Sequence, residues 1–214
     1  MVAGATGLVG REILAALLAD KSYKAVHSVG RRLIDLQHPK LVQQVVDFAD
    51  LKALPPVDDV FIALGTTVKV AGSQAAFRAV DFEAVVALAR TAQAQGAIKL
   101  GVVSAMGAST RSPIFYNQVK GAMEAAVATL GYASVSIAQP SMLAGDRAAL
   151  DQPLRSGEGL ALVVTRWLKP LIPANYQSVQ ARDVAAGLLR AVRAGQPGVH
   201  RVLSGDLQGA FKSI

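Results

Sequence analysis

Three residues in the middle of the chain carry side chains that together could move a proton to or from an oxygen atom: Ser104, Tyr116 and Lys120. Tyr116 and Lys120 stand four residues apart in a stretch that reads as a helix from Pro113 to Leu130, so both project from one helix face. An ammonium beside a phenol favours the phenolate and lowers the tyrosine from its reference value of about 10. A tyrosine tuned in this way gives a proton to a carbonyl oxygen during hydride delivery, or removes one from an alcohol in reverse. Ser104, twelve residues before Tyr116 and at the end of a predicted strand, would hydrogen-bond the same oxygen and hold it in line. A Tyr-x-x-x-Lys spacing by itself is common on helix surfaces. Its meaning depends on the elements around it.

A second group of residues has the chemistry of a phosphate cradle. Gly4-Ala5-Thr6-Gly7-Leu8-Val9-Gly10 lies between a short apolar start and a helix. One glycine permits the tight turn, one lets the backbone approach a pyrophosphate, and one allows close helix packing while the helix N-terminus faces the negative charge. Only Met1, Val2 and Ala3 precede Gly4, so the first strand is shorter than the roughly five to six residues usual. About twenty residues further on, a unit that binds NAD usually places an acidic residue against the ribose 2′-hydroxyl. Here the second strand ends in Gly30-Arg31-Arg32, and guanidinium groups would pair with a 2′-phosphate. NADP (NADPH) is therefore expected over NAD, although Asp35 could still reach a ribose. Asp47 and Phe48, closing the third strand, are candidate adenine neighbours. Leu64-Gly65-Thr66-Thr67, after the fourth, could run beside the cofactor.

The elements that would position these residues alternate. Val26 to Gly30, Val42 to Val46, Asp59 to Leu64, Leu100 to Ser104, Ser134 to Ala138 and Val199 to Leu203 read as strands. Helical patterns run over Val9 to Ala19, Gln74 to Gln95 with a break near Asp81, Pro113 to Leu130, Leu160 to Leu168 and Ala181 to Ala194. This rhythm predicts an α/β fold: a Rossmann-type, doubly wound parallel sheet with helices on both faces. We expect one NAD(P)-binding domain over residues 1–214. Its small substrate or lid insertion would run from Ser141 to Ser178, where prolines and a Gly157-Glu158-Gly159 turn interrupt the rhythm beyond a strand end.

Composition removes other chemistries. With no Cys there is no disulfide, thiolate nucleophile or cysteine-ligated metal, and the three histidines lie far apart, so no metal site is expected. The net charge of +7 invites a polyanion partner. Arg31 and Arg32 are nevertheless the only adjacent basic pair, and no aromatic residues interleave the scattered cations, so nucleic acid is not expected. Hydrophobic residues make up 52%, yet the longest apolar run, Ile13 to Ala19, has seven residues, far short of the roughly 20 a spanning helix needs. With no signal-peptide pattern at its start, the chain is expected to be cytoplasmic. The apolar helix carrying Trp167 could be core, lid or homodimer face. Arg147 reads as a surface-loop residue that could instead hold a substrate anion, and Asp183 as a structural group near a helix start.

Taken together, the glycine loop, Asp47, Leu64-Gly65-Thr66-Thr67, Ser104, Tyr116-Asn117-Gln118-Val119-Lys120-Gly121 and Gln180-Ala181-Arg182-Asp183-Val184-Ala185 resemble the short-chain dehydrogenase/reductase superfamily over nearly the whole chain. The Tyr-x-x-x-Lys-Gly-x-x-Glu run, present as Tyr116, Lys120, Gly121 and Glu124, looks closest to the atypical branch of Tat-interactive-protein-like oxidoreductases. The resemblance implies an NADP-binding fold with Ser104, Tyr116 and Lys120 as catalytic triplet, Lys120 also holding the nicotinamide ribose. Two departures stand out. Asp81 occupies the place where many members carry a relay asparagine, and the stretch from Ser141 to Ser178 with a short tail stands where relatives acting on nucleotide sugars carry a larger C-terminal domain, so that chemistry is not expected. The expected function is an NADP-dependent oxidoreductase acting on a small carbonyl or alcohol. An NADPH-binding regulator or scaffold without turnover is the alternative.

Overall fold

The computed structural model of the protein describes residues 1–144 and 173–213. Strands whose alternate residues are all apolar can bury them only if helices cover both faces of the sheet, and this governs the arrangement. Strand β1 (Val2–Ala3) leads through the glycine loop into helix α1 (Leu8–Ala19), followed by β2 (Val26–Gly30), β3 (Leu41–Val45) and β4 (Asp59–Ile62). Short helices α2 (Val68–Ala71) and α3 (Gln74–Arg78) precede a π-helical segment, Ala79–Ala84, that continues into α4 (Val85–Ala94). Then come β5 (Lys99–Val103), α5 (Phe115–Val127), β6 (Ser134–Gln139) and the short strand β7 (Leu143–Ala144). After the undescribed stretch follow β8 (Val179–Gln180), α6 (Ala181–Ala194), β9 (Gly198–Leu203) and α7 (Ser204–Leu207).

Seven strands form one parallel sheet in the order β3-β2-β1-β4-β5-β6-β9, and β7 pairs with β8 in a separate two-stranded sheet. This is the expected Rossmann-like α/β fold. One apolar core joins Ala3, Val60, Ile62, Leu100, Val102 and Ile137 to Val85, Leu88 and Ala89 of α4 and Met123 and Val127 of α5. The opposite core joins Val2 and Phe61 to Ile13, Leu14 and Leu17 of α1 and Val184, Leu188 and Val192 of α6. Gly101 sets the depth of that second layer, since a Cβ there would lie 2.7 Å from Val192 Cγ2 and 3.2 Å from Leu188 Cγ.

The strand order reverses between β1 and β4, and the register aligns the strand ends there. Ala3 pairs with Ile62, Ile62 with Val102, and Val103 with Ala138. Gly4, Leu64 and Ser104 therefore follow neighbouring strand ends along one rim, flanking the crevice where open α/β sheets bind ligands. Of the predicted insertion, only its ends are described: β7 and a 3-10 turn at Ala174–Tyr176. Arg147, Trp167 and the predicted helix from Leu160 to Leu168 lie outside the described residues.

Candidate active site

The glycine loop is shaped by steric exclusion. Gly4 has φ +87°, where a side chain is strained, and a Cβ on it would sit 2.5 Å from Ala63 O. A Cβ on Gly10 would sit 2.0 Å from Gly4 O, so the first turn of α1 packs directly on the loop. The Gly7 amide donates to Gly4 O at 2.9 Å. Gly7 itself caps α1 with no side-chain hydrogen bond, and no acidic residue stands in the first turn. The amide ends there face the rim without a carboxylate to compete with an anionic ligand. Ala5, Leu8 and Val9 are buried in the core, so toward a ligand only their backbone is available; Thr6 is exposed.

Arg31 and Arg32 follow β2 as exposed residues, and neither has an ion-pair partner among the described residues. Asp47 is exposed and accepts a hydrogen bond from the Ala49 amide at 2.9 Å, while Phe48 packs partly against the core beneath. Beyond β4, Leu64 also leans on that core, and Thr67 caps α2 by accepting from the Val70 amide at 3.1 Å. Gly65 and Thr66 turn instead toward a buried charge.

That charge is Asp81. The π-helical segment carries an extra residue per turn, a feature that often marks functional sites, and within it Asp81 is fully buried. Asp81 Oδ2 accepts from the Thr66 amide at 2.8 Å, and Oδ1 lies 2.8 Å from Lys120 Nζ. Both side chains of this ion pair are almost wholly excluded from water. A Cβ on Gly65 would approach Lys120 Nζ to 3.9 Å, so α5 delivers the ammonium to the turn that closes the crevice. Tyr116, one turn earlier on α5 and half-buried, lies against Phe77 with ring centroids 5.4 Å apart. The loop leading to α5 is clamped to it: Ser109 donates its amide to Asn117 O at 3.0 Å, and a Cβ on Gly121 would meet Ser109 C at 2.2 Å.

Ser104 departs from expectation. It is buried directly after β5, but its hydroxyl donates to Glu124 Oε1 at 2.6 Å. The same oxygen accepts from Gln139 Nε2 at 2.8 Å, and Oε2 accepts from Arg201 Nε at 3.0 Å. A serine has one proton to give, so in this arrangement Ser104 offers a ligand lone pairs only. Gln139 and Arg201 were not readable as part of the site. Glu124 was part of the Tyr-x-x-x-Lys-Gly-x-x-Glu run without a role of its own; the signal for one is that Tyr116, Lys120 and Glu124 follow at intervals of four along α5, and a carboxylate between buried Met123 and Val127 needs a partner. Asp183 serves the fold, accepting from the Phe211 amide at 3.0 Å. Among the described residues no cluster of histidine and carboxylate side chains is placed to hold a metal ion.

Protein HTATIP2 of Rattus norvegicus is 34% identical to the chain over 167 residues, covering 75% of this chain and 67% of its own length. The chain belongs to the HTATIP2-like, atypical branch of the short-chain dehydrogenases/reductases. A second relative of this HTATIP2-like protein, FMP52 of Candida albicans, is 28% identical over 192 residues, covering 86% of this chain and 82% of its own. No protein-family model matches. Among solved structures the fold is shared by MoeE5 in complex with UDP-glucose and NAD, with TM-score 0.70 and 16% identity over 94% of this chain and 75% of that one. It is also shared by the human epimerase family protein SDR39U1 with NADPH, with TM-score 0.62 and 18% identity over 94% and 72%. The expectation of a cytoplasmic protein is overturned: the FMP52 relatives are named mitochondrial. The lack of a signal-peptide pattern at the start of the sequence, on which that expectation stood, does not distinguish one compartment from another. Among the described residues no helix is long and apolar enough to cross a membrane.

Proposed function

We propose that this chain binds a nicotinamide dinucleotide, NADPH in preference to NADH, across the crevice between β1 and β4. There it works as a short-chain oxidoreductase on a small carbonyl or alcohol. The observation that carries the reading is the delivery of Lys120 Nζ, by the same helix face as Tyr116, to the Gly65 turn at the crevice. The residues fit the cofactor. Uncapped amides of α1 and the Gly4–Gly7 turn suit a pyrophosphate, and Arg31 and Arg32, exposed at the end of β2, suit a 2′-phosphate. Asp47, Phe48 and the 64–67 turn would flank the remainder, with Lys120 toward the nicotinamide ribose. The bound dinucleotide supplies or takes up the hydride.

Tyr116 exchanges the proton with the substrate oxygen. Lys120 holds its charge in place against Asp81, and Ser104 would hydrogen-bond the same substrate oxygen by turning its hydroxyl proton away from Glu124 Oε1. Calorimetric titration with NADPH and NADH tests the binding half. Arg31→Ala or Arg32→Ala is expected to weaken NADPH about 10- to 100-fold, through loss of a charge-assisted bond worth about 1.5–3 kcal/mol, with NADH little affected. Equal affinity for both nucleotides in the unaltered protein removes the preference. A screen of carbonyl substrates tests the chemistry, since Tyr116→Phe should lower turnover by about 10²–10⁴-fold.

One observation favours a second reading, an NADPH-binding regulator or scaffold without turnover: the Ser104 proton is already engaged by Glu124. Tight NADPH binding with no turnover across the panel would select it. A homodimer is compatible with either reading, and sedimentation of the purified protein would report it.

A further inference from the structure

The two arginines that would read a 2′-phosphate stand on a turn whose shape is held from outside it. Gly30 ends β2 paired with Val45 of the edge strand β3, and its carbonyl accepts from the Val46 amide at 2.9 Å. The chain folds back at once, since a Cβ on Gly30 would lie 3.5 Å from Arg32 O. Arg31, Arg32 and Leu33 are all exposed. The chain returns to the protein at Ile34, whose side chain packs partly against the core shared with α1.

One side chain of β3 holds Ile34 there. Gln43 Oε1 accepts from the Ile34 amide at 2.8 Å, while Gln43 Nε2 donates to Ile34 O at 3.0 Å and to Leu36 O at 3.2 Å. A glutamine amide has two protons and one carbonyl oxygen, and the turn engages all of them. Through its reciprocal bonds to Ile34 the side chain does what the peptide group of a neighbouring strand does in a sheet. Gln44, next along the strand, donates to Ala53 O at 3.1 Å instead. Gly30 and Ile34 are thus fixed to β3 at Val45 and Gln43, and the residues that span the gap are the two arginines and Leu33.

We propose that Gln43 is a specificity-determining residue for the dinucleotide: by holding the Arg31–Arg32 turn in one shape, it sets the preference for NADPH over NADH. The inference deepens the NADPH reading of the two arginines and rests on it. A turn already shaped when its ligand arrives loses little freedom on binding. Freed from Gln43, the turn would have to be ordered by the 2′-phosphate contact itself, at the expense of that contact. NADH carries no phosphate there and would not bear the cost. Gln43 is a positioning residue, and its effect is confined to the group that distinguishes the two nucleotides.

Gln43→Met keeps the length of the side chain and removes the amide. In calorimetric titration it is expected to weaken NADPH about tenfold while NADH changes less than about twofold. An equal loss for both nucleotides, or an unchanged ratio, overturns the proposal. A double-mutant cycle separates this role from a general loosening of the sheet edge. In protein already carrying Arg31→Ala and Arg32→Ala, Gln43→Met should cost NADPH binding nothing further, and a further loss of similar size refutes it. Without any nucleotide, limited digestion with trypsin, which cuts after arginine, should be faster at Arg31 and Arg32 in Gln43→Met; an unchanged rate refutes the idea that Gln43 shapes the turn. Should Gln43→Met fail to fold, Gln43→Val, suited to a strand, carries the same comparisons. An unaltered protein that binds both nucleotides equally strikes the reading of the arginines and this inference with it. A clear NADPH preference that survives Gln43→Met strikes only the role given to Gln43.

Discussion

Two buried carboxylates lie along one face of α5, Asp81 reaching it from the π-helical segment and Glu124 belonging to it, and they are held in different ways. Asp81 meets Lys120 in a pair whose side chains keep 1% and 4% of their exposure, with a single backbone amide as further donor. Glu124 is as deeply buried, at 3%, but its cation, Arg201, is 50% exposed, and Ser104 and Gln139 supply two more hydrogen bonds. The first carboxylate depends on one charge, whereas the second is distributed over three donors. A buried charge held by one partner is costly to expose, and one held by several neutral donors tolerates losing any one of them.

Mutation can break that contrast. The largest effect is expected from Asp81→Ala, which leaves Lys120 buried and unpaired and should cost about 3–5 kcal/mol in urea-induced unfolding. Glu124→Ala frees Arg201 into water but strands the Ser104 hydroxyl and the Gln139 amide, with an expected loss of about 1–3 kcal/mol. Arg201→Ala should cost least, at or below about 1 kcal/mol, because its guanidinium is half in solvent and Glu124 retains two donors. Equal losses for Asp81→Ala and Arg201→Ala would mean that the two carboxylates are held alike.

Much of this arrangement was legible before the structure. The strand–loop–helix at Gly4, the arginines after β2 and the helix from Ala181 to Ala194 follow from local pattern, because apolar periodicity and glycine placement report directly on short-range structure. The four-residue step from Tyr116 to Lys120 is likewise a property of any helix. The partners of Glu124 were not legible, because Arg201 lies 77 residues further along and reaches it only through the pairing of β6 with β9. The break expected near Asp81 is a change of winding: the helix continues through a π turn, and apolar periodicity cannot distinguish an interruption from one extra residue per turn. Ser104 was placed correctly at a strand end, yet the direction of its hydroxyl depends on Glu124, twenty residues away.

The clamp between Gly121 and Ser109 couples recognition to chemistry. With the connection from β5 seated on α5 where no Cβ fits, lifting Ser109 away costs its hydrogen bond to Asn117 O and its packing on Gly121. A ligand that presses on this connection therefore presses on the helix that carries Tyr116 and Lys120, so the fit of the ligand and the alignment of the proton donor share one contact surface.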